Sequence, residues 1–200
     1  MRPRKLLGDS LSDPRVGGGG YLAYVQERCP KTRIDNFAKG GWMVNQMRRR
    51  FEEEVLADPM PGGSYSHLVV FGGVNDLYSD LTAGRTPPKI ESDLTRIYQK
   101  AHERGMTVVA LTVAPWGGFK RYFTQHRSEA TLSVNQWIAG QQHAGAIDAV
   151  VDAYALLSCG DTEKLCAEYQ PPFKDGLHFG KVGQQKLGQA LYEAAFKDCE

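Results

Sequence analysis

Five short apolar segments, residues 5–7, 33–37, 67–71, 106–113 and 146–151, recur along the chain with longer helix-period stretches between them. This alternation constrains the fold more than any other feature. Each segment has strand length and contains β-branched or aromatic residues. Strands separated by helices require crossover connections, which run right-handed and make neighbouring strands parallel. A parallel sheet is covered on both faces, so the expected architecture is a three-layer α/β/α sandwich.

The intervening stretches support that reading. Across residues 43–56, Met43, Met47, Phe51 and Val55 recur every four residues. The run RRRFEEE within it offers Arg48 with Glu52, Arg49 with Glu53 and Arg50 with Glu54 at i,i+4, a solvated helix face. Residues 88–104 place Ile90, Leu94, Ile97, Tyr98 and Ala101 on one face, with Gly105 as the stop. Residues 132–143 and 181–196 read as helices too. The run Gly17-Gly18-Gly19-Gly20 reads as a flexible joint before the first helix, and residues 59–64 as a loop rather than a domain linker.

A chain of 200 residues, 42% hydrophobic and 24% charged, suits one globular domain spanning residues 1–200. A formal net charge of +1 gives no electrostatic case for nucleic acid or an anionic membrane as partner. The longest apolar runs, HLVVFGG and MTVVALTV, are too short to span a bilayer, and MRPRKLL has no leader-like apolar stretch. A soluble protein is expected. His67, His102, His126 and His143 show no metal-ligand spacing, and the glycine run lacks the Lys and Ser or Thr of a phosphate loop. Neither metal nor organic cofactor is expected. Cys29, Cys159, Cys166 and Cys199 also lack zinc-site spacing and read as four thiols or two disulfides.

In an open parallel sheet, ligands bind outside the carboxyl ends of the strands. The residues just past the first three candidate strands are therefore informative: Gly8-Asp9-Ser10, then Asn36 to Trp42, then Gly72-Gly73-Val74-Asn75-Asp76. Ahead of the last helix stands Asp175-Gly176-Leu177-His178. Alone, each segment reads as a turn or helix cap. Together they supply the parts of acyl transfer: a serine to attack a carbonyl, a histidine to take its proton, a carboxylate to orient the imidazole, and N–H donors for the oxyanion.

The four segments GDSLS, NFAKGG, GVND and DGLH resemble the signature blocks of the SGNH or GDSL hydrolases, in order, from residue 8 to residue 178. The resemblance implies a flavodoxin-like fold with five parallel strands, Ser10 as nucleophile, His178 as general base and acid, and Asp175 as its partner. It also implies an oxyanion hole from the Ser10 N–H, the Gly41 N–H and the Asn75 amide, with Gly40 as the rival for the glycine position. Trp42 and Met43 follow Gly41 where such families often carry Ser or Thr. The Gly-Asp-Ser-Leu-Ser context does not match the G-x-S-x-G elbow of α/β-hydrolases.

In the flavodoxin-like order that the resemblance implies, the first and last helices share a face, which brings Cys29 and Cys199 together. Cys159 and Cys166 would close a short loop ahead of Asp175. Two bridges would mean periplasm or extracellular space. Without a visible leader, a cytoplasmic location stays open.

Residues 114–123 follow the fourth strand, so Trp116, Phe119, Tyr122 and Phe123 are expected either to line an acyl pocket, to stack on a sugar, or to pack beneath a loop. The family resemblance implies an esterase acting on small or medium acyl groups, with a carbohydrate O-acetylesterase as one specific form. Alternatives are a lipid-directed acyl hydrolase of lysophospholipase or thioesterase type, a glycan- or lipid-binding module on the same fold, and a flavodoxin-like phosphate or flavin binder.

Overall fold

The computed structural model describes residues 3–55 and 65–199; the loop expected over residues 59–64 lies outside them. In chain order the elements are β1 (Arg4–Gly8), α1 (Gly20–Arg28), β2 (Ile34–Asn36), α2 (Val44–Arg50), β3 (His67–Phe71), α3 (Val74–Tyr78), α4 (Asp80–Ala83) and α5 (Pro87–Glu103). They continue with β4 (Thr107–Leu111), α6 (Gln125–His143), β5 (Ala149–Val151), α7 (Ala153–Leu157), β6 (Ser158–Cys159), β7 (Asp161–Leu165) and α8 (Lys181–Ala195).

The five expected strands form one parallel sheet in the order β2-β1-β3-β4-β5. This is the flavodoxin-like, doubly wound order. Alternate residues of each strand face opposite layers. Leu7, Leu68, Val70, Val108 and Ala110 pack with the buried faces of α2, α5 and α6. Leu6, Val69, Phe71, Val109 and Leu111 pack with Tyr21, Leu22 and Val25 of α1 and Leu187 and Leu191 of α8. The stripe on α5 is the one its sequence marks: Ile90, Leu94, Ile97, Tyr98 and Ala101 are all buried.

Several boundaries differ from the sequence expectation. The helix expected over residues 43–56 is α2 followed by a π-helical turn, Phe51–Val55, and Leu56 lies outside the described residues. Its charge run is not simply a solvated face. Arg48 pairs with Glu52 at 2.7 Å as the spacing indicates, but it also reaches Asp93 on α5 at 2.8 Å, and Glu52 accepts from Arg96 at 2.6 Å. Helix α6 starts seven residues earlier than expected because Thr124 caps it, accepting the Arg127 N–H. Helices α3, α4 and α7 and the β6–β7 hairpin are too short to show a period. The four cysteines form Cys29–Cys199 and Cys159–Cys166. The first ties the end of α1 to the residues after α8; the second closes the hairpin.

A buried ionic chain fixes the layer beneath the sheet edge. Asp76 on α3 is 0% exposed; its Oδ2 accepts the Val44 N–H that opens α2, and its Oδ1 accepts from Arg85 Nε at 2.7 Å. Arg85, 8% exposed, continues to Asp93 at 2.6 Å. Removing one member of a buried pair strands the other in a medium that cannot solvate it. Arg85→Ala is therefore expected to lower unfolding free energy by about 3–5 kcal/mol in urea titration. A loss below about 1 kcal/mol, typical of an exposed pair, would show that the chain does not hold α2 to α3 and α5.

Candidate active site

β1 delivers its last residues to the carboxyl edge of the sheet, and the chain turns at once. Asp9 is buried, its Oδ1 accepts the Leu11 N–H at 2.9 Å, and its carbonyl accepts the Ser12 N–H at 3.1 Å. This turn presents Ser10 at the edge with an N–H that finds no acceptor among the described residues.

The loop after β2 is stitched to the same turn. Asn36 Nδ2 donates to the Ser12 carbonyl at 2.7 Å while its Oδ1 accepts the Ala38 N–H at 2.9 Å. Asp13 Oδ2 accepts the Gly40 N–H at 2.9 Å. Gly40 is thus engaged, whereas the Gly41 N–H has no acceptor among the described residues. Gly41 takes φ +80°, with open space where a Cβ would stand. Of the two rival glycines, Gly41 is the one with an N–H to offer.

Asn75 stands on the first turn of α3. Its Nδ2 donates to the Trp42 carbonyl at 2.9 Å, which holds the amide against the Gly41 loop and leaves a second N–H on the same nitrogen. On the far side, Asp175 Oδ1 accepts the N–H groups of Leu177 at 2.9 Å and His178 at 2.8 Å. Its Oδ2 lies 2.6 Å from His178 Nδ1, and His178 Nε2 lies 2.9 Å from Ser10 Oγ. Burial pushes the Asp175 carboxyl up, but hydrogen bonds from the His178 ring and from the His178 and Leu177 backbones outweigh it and hold it below the ordinary carboxylate value. Gly176, between the two, has φ +73° and lies so close to Gly118 that a Cβ would meet its carbonyl carbon at 2.2 Å.

These groups border a cavity of about 520 Å3 whose apolar walls are Val16, Val74, Tyr78, Phe119, Phe173 and Leu177. Of the aromatics expected here, only Phe119 lines it. Tyr122 packs behind, edge-on to Tyr78 at 4.7 Å and 4.8 Å from Phe119. Trp116 does not reach the cavity: it is 0% exposed, donates its indole N–H to Thr131 Oγ1 at 3.0 Å and meets Phe123 edge-on. A tryptophan with a buried hydroxyl partner is more stable inside the α6 layer than over an open edge. Tyr78 was legible in principle, standing three residues after Asn75 on one helical face; Phe173, in an irregular segment, carried no periodic signal. Among the described residues no cluster of three His, Cys, Asp or Glu side chains is placed to hold a metal ion.

This arrangement of a serine, a histidine, an aspartate and converging N–H donors on a doubly wound sheet is of the serine-hydrolase type. Residues 6–186 match the model of the GDSL-like lipase/acylhydrolase family, and the chain belongs to that family. Family membership supports a hydrolase acting on esters. Among solved structures, a GDSL-like lipase from Bacteroides thetaiotaomicron superposes with a TM-score of 0.78 at 17% identity, covering 100% of this chain and 89% of that one. A lipase/acylhydrolase from Enterococcus faecalis gives a TM-score of 0.71 at 22% identity, covering 96% and 94%. An acetyl xylan esterase from Geobacillus stearothermophilus gives 0.73 at 17% identity, covering 96% and 93%. At these identities the neighbours establish the fold. No curated protein matches the chain in sequence.

Asp9 generates a prediction about stability. Burial pushes its carboxyl from 3.8 up to about 7, opposed by the Leu11 N–H and reinforced by the Asp76 charge, and its Oδ2 has no hydrogen-bond partner among the described residues. A carboxyl raised on folding favours the native state while protonated, so its contribution is full below pH 3.8 and is lost as pH rises to about 7. Asp9→Asn cannot ionise. The Tm of Asp9→Asn minus that of the native sequence is expected to grow between pH 4 and 7 and then level off; a pH-independent difference would refute this account.

Proposed function

We propose that the chain is a serine esterase in which Ser10, His178 and Asp175 form the catalytic triad, carried by a single domain. The observation that carries this reading is the continuous line from Asp175 Oδ2 through His178 to Ser10 Oγ, at 2.6 and 2.9 Å. Asp175 holds the imidazole with Nδ1 protonated, leaving Nε2 to accept the serine proton. Ser10 Oγ bonds to the ester carbonyl carbon, and the oxyanion is received by the N–H groups of Ser10, Gly41 and the Asn75 amide. As the ester C–O bond breaks, His178 returns the proton to the departing alcohol. A water molecule, activated by the same nitrogen, then releases the acid from Ser10.

The substrate we infer carries a small or medium acyl group, with a carbohydrate acetate as the specific form. The cavity supports this: it offers about 520 Å3 beside Ser10 between largely apolar walls, room for an acyl group of that size. The acetyl xylan esterase among the fold neighbours agrees with that choice. The two disulfides support an oxidising compartment, periplasmic or extracellular. No helix among the described residues is long and apolar enough to cross a membrane.

Hydrolysis of p-nitrophenyl esters from acetate to palmitate tests the reading. Short chains are expected to be best, and Ser10→Ala to lose turnover by orders of magnitude; undiminished turnover in Ser10→Ala would overturn the nucleophile, and a palmitate preference would replace the acyl assignment with a lipid-directed one. Asn75→Ala, removing one oxyanion donor, is expected to lower kcat about a hundred- to a thousandfold while circular dichroism is unchanged. If it instead unfolds the chain with turnover per folded molecule intact, Asn75 is structural. Alkylation without reductant, read by mass, is expected to label no cysteine in protein taken from its native compartment; four labelled thiols would refute the oxidising location.

A further inference from the structure

A second cavity, of about 410 Å3, opens beside the first, and Phe173 lines both. Its ring centroid lies 5.6 Å from that of His178. Behind it stands Gly17, where a Cβ would meet Phe173 Cζ at 2.7 Å. Glycine at 17 is what permits the ring to lie between the two cavities.

The glycine run expected as a flexible joint is instead a wall of this second cavity. A Cβ on Gly18 would stand 2.3 Å from the Ser10 carbonyl oxygen, so the segment packs directly on the backbone of the Ser10 turn. Gln184, buried in α8, fixes the floor. Its Oε1 accepts the Tyr21 N–H at 3.1 Å, and its Nε2 donates to the carbonyls of Leu11 at 3.3 Å and Phe179 at 3.4 Å. Those carbonyls belong to the residues that follow Ser10 and His178. The cavity is therefore built in register with the reacting groups.

Its place in the reaction follows from the proton. His178 Nε2 must hand a proton to the leaving oxygen, so the alcohol half of the ester sits beside the imidazole. The ring packed there is Phe173, and past Phe173 lies the second cavity. The acyl half has the other direction, toward Val74, Tyr78 and Phe119 beyond the Gly41 and Asn75 donors.

The lining indicates what kind of alcohol fits. The Tyr24 ring has the Arg28 guanidinium 3.4 Å from its centroid, and Gly188 lies so close to its Cβ that any larger residue there would collide. Tyr24 and Phe173 offer flat apolar surface, while the exposed Glu27, Lys181 and Gln185 bring a carboxylate, an ammonium and an amide to the rim. A pyranose presents C–H faces to rings and hydroxyls to such groups; a hydrocarbon chain would leave the rim groups facing methylenes. We propose that the second cavity binds the alcohol half of the ester and that this alcohol is a sugar. The assignment rests on the esterase reading of the Ser10 centre and adds the cavity that holds its sugar leaving group.

The test compares peracetylated cellobiose with p-nitrophenyl acetate in the native sequence, in Tyr24→Ala and in Ala23→Trp, which fills the cavity from an exposed helical position. The ratio of kcat/KM on the sugar ester to that on p-nitrophenyl acetate is expected to fall at least about tenfold in both variants, mainly through KM. Unmodified cellobiose is expected to bind the native sequence in calorimetry and not Ala23→Trp. An unchanged ratio with no cellobiose binding overturns the sugar subsite while leaving the esterase intact. So does loss of p-nitrophenyl palmitate turnover in both variants with the sugar ratio unchanged, which would make the cavity an acyl pocket. If Ser10→Ala hydrolyses p-nitrophenyl acetate like the native sequence, the esterase reading fails, yet cellobiose binding abolished by Ala23→Trp still supports the subsite.

Discussion

The position of β1 between β2 and β3 is the constraint on which the site depends. From this interior strand the chain leaves through α1 on one face, whereas the crossover after β3 runs through α5 on the other. The two departures open a crevice at the carboxyl edge. Ser10 falls into it because β1 ends at Gly8, and the loops after β2 and β3 arrive from either side. Parallel pairing sends every strand end to this edge, so residues far apart in sequence meet without any special device.

Meeting is not yet alignment, and short polar contacts supply that. Asn36 ties the second loop to the Ser10 turn, and Asp13 takes the Gly40 N–H so that Gly41 is the one exposed. Asp76 holds the start of α2 while its neighbour Asn75 reaches the Trp42 carbonyl. Each acidic group near the site serves the backbone, through N–H groups that would otherwise be unpaired at loop and helix starts. Asp9 does so with one oxygen only, accepting the Leu11 N–H, while its other oxygen finds no partner among the described residues.

Much of this was legible in the chain. The five strands alternate between layers as their apolar residues require, and α5 buries the stripe its period marks. Ser10, Asp175 and His178 could be named because motif and position agreed, each lying just past a strand or just before the last helix. What escaped had physical reasons. Of the readings open for Trp116 the sequence could not choose packing, because the hydroxyl partner that buries it lies fifteen residues on and no local pattern encodes it. The glycine run misled because glycine serves both flexibility and close approach, and only the neighbouring chain decides which. Helices of four or five residues, such as α4 and α7, complete scarcely more than one turn and leave no period to read.

The bridge between Cys29 and Cys199 spans 170 positions and joins the ends of two helices that pack on each other. Topologically it turns most of the chain into a closed ring. In the unfolded state a ring of this length is far more compact than an open chain, by a chain-entropy estimate of about 5 kcal/mol. The ring carries Gly41, Asn75 and His178, and Ser10 is attached to it through the segment that ends at Cys29, so two covalent routes lead from Ser10 to His178. A single peptide cut anywhere within it opens the backbone but leaves both fragments joined by sulfur, so damage by a protease need not separate the halves of the site.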